Sequence, residues 1–207
     1  MIIHLASGNR HKVQEMQRLA DATPETAALG VRIEAPERMP AVVEDAGSFI
    51  GNARKKAKAL QALLPRGAWV LADDSGVCVD ALGGGPGVES AYFAGPQGDP
   101  VANLRKLADM MRGVPADQRR ARFVCVLLLR GGPARFEAAF EGRCEGMLAP
   151  EPRGGKGFGY DPLFVPDGHT CTYAELDEAA KNAISHRGRA WAALARWLSR
   201  EAVGSRA

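Results

Sequence analysis

Residues 1–20 read MIIHLASGNRHKVQEMQRLA, and this stretch decides the fold class. Ile2 to Ala6 is a short apolar, β-rich run that stops at Ser7-Gly8-Asn9, after which Val13, Met16, Leu19 and Ala20 recur at helical spacing. A strand, a tight turn and a helix are predicted in that order. Working outward, Val31 to Ala35 alternates as a second strand, and from Phe49 the residues Ile50, Ala53, Ala57, Leu60 and Leu64 mark an amphipathic helix that stops before Pro65. Trp69 to Ala72 reads as a buried strand delivering the chain to a turn at Asp73-Asp74-Ser75-Gly76, with a further strand over Val77 to Leu82. Alternation of strand and helix predicts an α/β fold, a mixed sheet with helices on both sides, curved into two lobes.

The second half reads less regularly. Asn103 to Met111 is helical by the spacing of Leu104, Leu107, Met110 and Met111, and Phe123 to Leu129 is apolar enough for a strand buried on both faces. Gly131-Gly132-Pro133 predicts a turn, and Arg135 to Glu141 alternates as the other arm of an antiparallel hairpin. Pro150 to Tyr160 reads as a loop, and Thr172-x-x-Glu175 as a capping box for a short helix. A last helix is expected from about Ser185, with Trp191, Leu194, Ala195 and Leu198 on one face, fraying over Gly204 to Ala207.

Composition excludes several classes. With 207 residues, 46% hydrophobic and 25% charged, the chain is neither disordered nor collagen-like, and its net charge of +3 implies only mild attraction to polyanions. The longest apolar run, Phe123 to Leu129, is far short of the roughly 20 residues that span a bilayer. No basic segment precedes an apolar stretch at the N-terminus, so no signal peptide is read there and a cytoplasmic setting is expected. Cys78, Cys125, Cys144 and Cys171 lie far apart without a C-x-x-C pair and read as reduced packing residues.

Charge is unevenly distributed. Between Gly67 and Leu104 there is no Lys or Arg, while Asp73, Asp74, Asp80, Glu89 and Asp99 are present; from Lys181 onward six cations face the single acid Glu201. Carboxylates at a strand end opposite a basic helix start would suit a metal-bound phosphate, although ordinary surface salt bridges would use the same residues. Asp-Asp-Ser-Gly is also good turn chemistry, but Glu44-Asp45 supplies a second acidic pair, and oxygen ligands from two segments suit Mg²⁺. The turn from Ser7 to Lys12 places backbone N–H groups at the positive end of a helix, an anion site by geometry or a plain N-cap at Asn9. In Gly157-Phe158-Gly159-Tyr160-Asp161-Pro162 the glycines would let a ligand ring stack on Phe158, with Asp161 accepting from a base edge; packing of Phe158 in the core is the plainer reading. Walker A, G-x-G-x-x-G, H-E-x-x-H and G-x-S-x-G patterns are all lacking, as is the interleaving of aromatic and basic residues expected of a nucleic-acid binder.

Five segments in order resemble the inosine triphosphate pyrophosphatase family: S-G-N-R-H-K at Ser7 to Lys12, Glu44 to Ala53, Ala72 to Val88, G-F-G-Y-D-P at Gly157 to Pro162, and S-H-R at Ser185 to Arg187. The resemblance runs from about Ile2 to Leu198. It implies an elongated mixed α/β domain over residues 1–207, two lobes with a central cleft, usually a homodimer, with no nucleic-acid partner and no membrane. It implies hydrolysis of purine nucleoside triphosphates such as ITP, dITP and XTP between the α and β phosphates, giving a monophosphate and pyrophosphate. Ser7, Gly8, Asn9, Arg10, His11, Lys12 and Lys56 would hold the triphosphate. Glu44 and Asp74 would hold Mg²⁺, with Asp74 also activating the attacking water and Ser75 touching the substrate. Phe158, Gly159, Tyr160, Asp161, Lys181, His186 and Arg187 would grip the base and its surroundings, Arg187 or His186 pairing with a 6-carbonyl that adenine lacks. Three positions depart from the family's usual pattern: Gly51 and Ala180 stand where a Glu is common, and Tyr92 where an Arg is. A pyrophosphatase for pyrimidine or modified nucleotides, or a catalytically weak nucleotide binder, are the alternatives.

Overall fold

A computed structural model describes residues 1–132 and 136–204, the side chains of Arg10 and of residues 202–204 excepted. Pro133 and Arg135, assigned above to the hairpin, the final residues assigned to fraying, and the Arg10 side chain lie outside that description. Strand β1 (Ile2–Leu5) leads to helix α1 (Arg10–Ala22), then a short helix α2 (Pro24–Ala28), which the sequence reading did not anticipate, and strand β2 (Arg32–Glu34). Helix α3 (Phe49–Gln61) precedes the long strand β3 (Trp69–Val79), and helix α4 (Pro100–Met110) precedes strands β4 (Arg120–Gly131) and β5 (Phe136–Leu148). Strand β6 (Phe164–Pro166) and helices α5 (Glu178–Ile184) and α6 (His186–Gly204) complete the chain.

The strands form one six-stranded sheet in the order β2-β1-β3-β4-β5-β6. Strand β1 is parallel to both neighbours, His4 facing Glu34 on one side and Val70 on the other, whereas β5 and β6 are antiparallel. The few residues between β4 and β5 are too short for a crossover, so that pair runs antiparallel as the turn signal predicts. The sheet is therefore mixed, as expected.

By contacts the chain divides into two compact units, residues 1–74 with 125–142 and 187–207, and residues 75–124 with 143–186. In the first unit, Ile3, Leu5 and Leu71 pack with Met16, Leu19 and Ala20 of α1 and Trp191, Leu194 and Leu198 of α6. Val70 and Ala72 point the other way and pack with Ala53, Ala57 and Leu60 of α3. The two sets alternate along β3 because successive side chains of a strand leave opposite faces. In the second unit, Val77, Val79, Phe123, Tyr160, Phe164 and Tyr173 share a core with Leu107 and Met111.

Three sequence expectations change. Asp73-Asp74-Ser75-Gly76 is the middle of β3, so the two predicted strands are one, which ends at Val79 before a single 3-10 turn over Asp80–Leu82. Gly76 serves close approach: a Cβ there would lie 2.1 Å from the carbonyl oxygen of Gly87. The predicted capping box forms only in part, since the Glu175 carboxylate accepts from Thr172 N (2.6 Å) but the Thr172 hydroxyl donates to the Arg153 carbonyl. The helix that follows is α5, capped by Asp177, whose carboxylate accepts from Ala180 N (2.7 Å).

Candidate active site

The parallel register places Leu5 opposite Leu71, so β1 ends beside the part of β3 that continues into Asp73 and Asp74. Period-two alternation then sends the two carboxylates to opposite faces. Asp73 lies on the face of Leu71, toward α1 and α6. Asp74 lies on the face of Ala72, toward α3.

On the first face, α1 begins after Asn9, whose carboxamide oxygen accepts from His11 N (2.9 Å) and Lys12 N (3.3 Å), while the Ser7 hydroxyl oxygen accepts from Asn9 N (3.1 Å). The plain N-cap is therefore present, and it occupies two of the backbone donors that the anion-site reading had assigned to a ligand. Gly8 and His11 are exposed, and Ser7 keeps its hydroxyl proton to donate. Lys12 reaches back over the turn to donate to Asp73 Oδ1. Arg187 donates from Nε to Asp73 Oδ2 (2.9 Å) and from Nη1 to both oxygens of Glu15 (3.1 Å each). The Cys125 thiol adds a contact to Asp73 Oδ2 at 3.3 Å. Burial alone would raise the Asp73 pKa, but the Arg187 and Lys12 charges prevail and hold it well below the usual carboxylate range.

The Arg187 side chain is only 2% exposed, and Nε and Nη1 face Asp73 and Glu15, so in this structure it is a buried counter-ion to both. Glu15 was missed from the sequence, where it has only the odd feature of an acid beside Met16 on the core-facing side of α1. The acidic stretch also finds cations after all: Asp73 has Lys12 and Arg187, Asp74 has Lys56, and Asp80 has Arg122 at 2.9 Å.

On the other face, Glu44 arrives from the irregular segment before α3, and Lys56 from the second turn of that helix. Lys56 Nζ donates to Asp74 Oδ1 (2.5 Å) and to Glu44 Oε2 (2.9 Å). The two acids predicted to meet are brought together. Burial and the neighbouring Glu44 push the Asp74 pKa up to about 7 against the opposing charge of Lys56, and the Lys56 charge draws that of Glu44 down against its own burial. Lys56 stays protonated because, although burial disfavours its charge, Asp74 and Glu44 raise its pKa. Asp74 Oδ2 is buried and has no hydrogen-bond partner among the described residues. Among the described residues no group of three or more His, Cys, Asp or Glu side chains is placed to hold a metal ion, so a cation here would have two carboxylates from the protein.

The predicted base-contacting residues of the second unit form their own group. Asp161 Oδ2 accepts from Phe158 N (2.8 Å) and from Lys181 Nζ (2.6 Å), and the ammonium lies 5.2 Å from the Phe158 ring centroid. Phe158 is exposed, contrary to the core reading, and Gly159 is half-buried. Asp161, with this oxygen bonded to the loop and to Lys181, holds that loop in shape. The His186 ring stacks on Phe123, centroids 4.6 Å apart at 12°. Tyr160 is buried and its hydroxyl donates to the Ser90 carbonyl (2.8 Å), so its side chain packs within the second unit. Ser75 is half-buried in β3 directly after Asp74.

A model of the Ham1 family matches residues 3–197. A dITP/XTP pyrophosphatase of Opitutus terrae is 58% identical over 200 residues, covering 95% of this chain and 98% of that protein. One of Rhodospirillum centenum is 48% identical over 189 residues, covering 90% and 89%. Among solved structures, the Ham1 protein of Staphylococcus aureus is similar with a TM-score of 0.80 at 32% identity, covering 97% of this chain and 100% of that one. A HAM1 protein from Coxiella burnetii gives 0.81 at 35% identity, covering 97% and 99%.

Proposed function

This chain belongs to the Ham1 family, and we propose that it hydrolyses noncanonical purine nucleoside triphosphates, dITP, XTP and ITP, to the monophosphate and pyrophosphate. The observation that carries this reading is the convergence of Glu44 and Asp74 on Lys56, with one oxygen of Asp74 buried and unpartnered. A buried lone pair without a donor is costly unless something occupies it. Two carboxylates from different segments fit Mg²⁺, which keeps waters and takes its remaining ligands from substrate phosphates. Glu44 and Asp74 would hold that ion. When bound it supplies electrophilic polarisation of the phosphate oxygens and favours ionisation of a nearby water.

The chain's own residues supply the rest. Asp74, buried beside Lys56 and Glu44, accepts the proton of the attacking water. Lys56 and Lys12 neutralise charge on the departing pyrophosphate, the Ser7 hydroxyl donates to a phosphate oxygen, and Asp73 with Arg187 keeps the Lys12 ammonium in place. The exposed Phe158 ring offers a face on which a base can stack, with the Lys181 ammonium 5.2 Å from its centroid and Asp161 holding the loop. The family resemblance further supports a homodimer in a cytoplasmic setting. No helix among the described residues is long and apolar enough to cross a membrane.

The test is pyrophosphate release from ITP, dITP, XTP, ATP, GTP, dUTP and dTTP with and without Mg²⁺. Release confined to the oxo-purines and dependent on the ion is expected, and Asp74→Asn should cut turnover by roughly 10²-fold while nucleotide binding stays measurable. Equal release from ATP, or full turnover of the variant, overturns the reading.

A further inference from the structure

The segment that delivers Glu44 has no regular structure, yet Glu44 meets Asp74 through Lys56. What fixes it lies in the first turns of α3. Asn52 is fully buried, and its carboxamide oxygen accepts from Ala46 N at 3.0 Å, two residues beyond Glu44. Its Nδ2 has no hydrogen-bond partner among the described residues. A half-satisfied amide is a poor choice for a buried helix position, and an apolar residue would stabilise α3 better. What the amide contributes is the bond to Ala46.

Gly51 makes that bond possible. A Cβ at this position would lie 2.6 Å from Ala46 Cβ and 2.8 Å from Ser48 Oγ, so with Ala46 and Ser48 as they stand in this chain a side chain here would force one of them to shift. Glycine is also the poorer helix former, though in this first turn it costs less than the ~1 kcal/mol, relative to alanine, of a helix interior. Two neighbouring positions of α3 therefore sacrifice helix stability, and both do so where the Glu44 segment lies against the helix. On the outer side Lys55 Nζ adds a bond to the Val43 carbonyl at 3.0 Å and pairs with Asp45.

We infer that Gly51 and Asn52 are positioning residues that seat the 43–46 segment on α3 and so bring Glu44 within reach of the cation shared with Asp74. The inference rests on the proposed reading of Glu44 and Asp74 as ligands. Residues that orient metal ligands through hydrogen bonds typically change metal affinity or activity by about 10–100-fold when replaced.

Gly51→Ala and Asn52→Ala test it with three measurements. Amide hydrogen exchange at Ala46 in the metal-free protein should accelerate in both variants, because its acceptor is lost or displaced. Mn²⁺ affinity without nucleotide should fall about tenfold or more, and kcat should fall with it while nucleotide KM changes by less than about threefold. Unchanged far-UV circular dichroism and cooperative thermal unfolding in both variants guard against a trivial loss by misfolding. Ala46 exchange unchanged in both variants, or Mn²⁺ affinity and kcat retained despite faster exchange, overturns the inference. A wild-type protein that releases no pyrophosphate from any nucleotide sinks the enzymatic reading instead, and the exchange and Mn²⁺ measurements then still decide whether Gly51 and Asn52 seat the segment.

Discussion

Asp73 and Asp74 are covalent neighbours whose carboxyl groups leave opposite faces of β3 and are driven to opposite ends of the carboxylate range. Asp73 is enclosed by two cations and stays ionised; Asp74 shares one lysine with another acid and is pushed up to about 7. The strand's two-residue period gives two adjacent acids opposite surroundings.

A titration follows from this. In the metal-free protein the Asp74 carboxyl, followed by carbon NMR, should show a midpoint near 7 that drops when Mg²⁺ is added, since a nearby cation favours the charged form. The sign for stability is fixed too. A raised folded-state pKa gives stability that is complete below the ordinary value of 3.8 and is lost as pH rises through about 7. Wild type should therefore lose Tm relative to Asp74→Asn over that interval, and parallel Tm curves would contradict the assignment.

Arg187→Ala removes the buried cation that Glu15 and Asp73 share, while the Lys12 ammonium stays on Asp73. Breaking a buried pair in this way costs about 3–5 kcal/mol, read as a lower midpoint in urea. Arg187→Lys keeps charge but not the two-pronged geometry and should recover only part. A midpoint unchanged in Arg187→Ala would mean the cluster contributes nothing to folding.

Lys12→Ala separates two roles of one side chain. If the ammonium contacts phosphate as well as Asp73, nucleotide KM should rise roughly tenfold or more, the usual scale for a charge-assisted hydrogen bond. A fall in Tm with KM untouched would confine Lys12 to supporting Asp73.

Gly76→Ala puts a methyl group 2.1 Å from the Gly87 carbonyl and 2.5 Å from Ser90 Oγ, whose own bond to that carbonyl is 2.6 Å. Destabilisation of about 1–3 kcal/mol is expected from overpacking, measured by thermal unfolding. A variant as stable as wild type would show that this approach is loose.

Legibility followed range along the chain. The β1 to α1 passage, α3, β4 and α6 were readable because periodicity and caps are set by residues within a few positions of each other. The reading of Asp73 to Gly76 as a turn failed for the converse reason. Its composition is locally that of a turn, and only ion pairs to Lys12, Lys56 and Arg187 make two adjacent acids tolerable inside a strand. Thr172 likewise has the local pattern of a helix start, but its hydroxyl is taken by the Arg153 carbonyl, 19 residues away in the chain.

Residue order alone therefore determined the α/β class, the family resemblance and the meeting of Glu44 with Asp74 as a testable expectation. Only the folded chain decided that Arg187 is a buried counter-ion, that Glu15 joins it from 172 residues away, and that Asn52 holds the Glu44 segment. Helix and strand patterns are short-range properties of the backbone, whereas the state of a charge depends on which distant groups the fold brings beside it and how much water it removes.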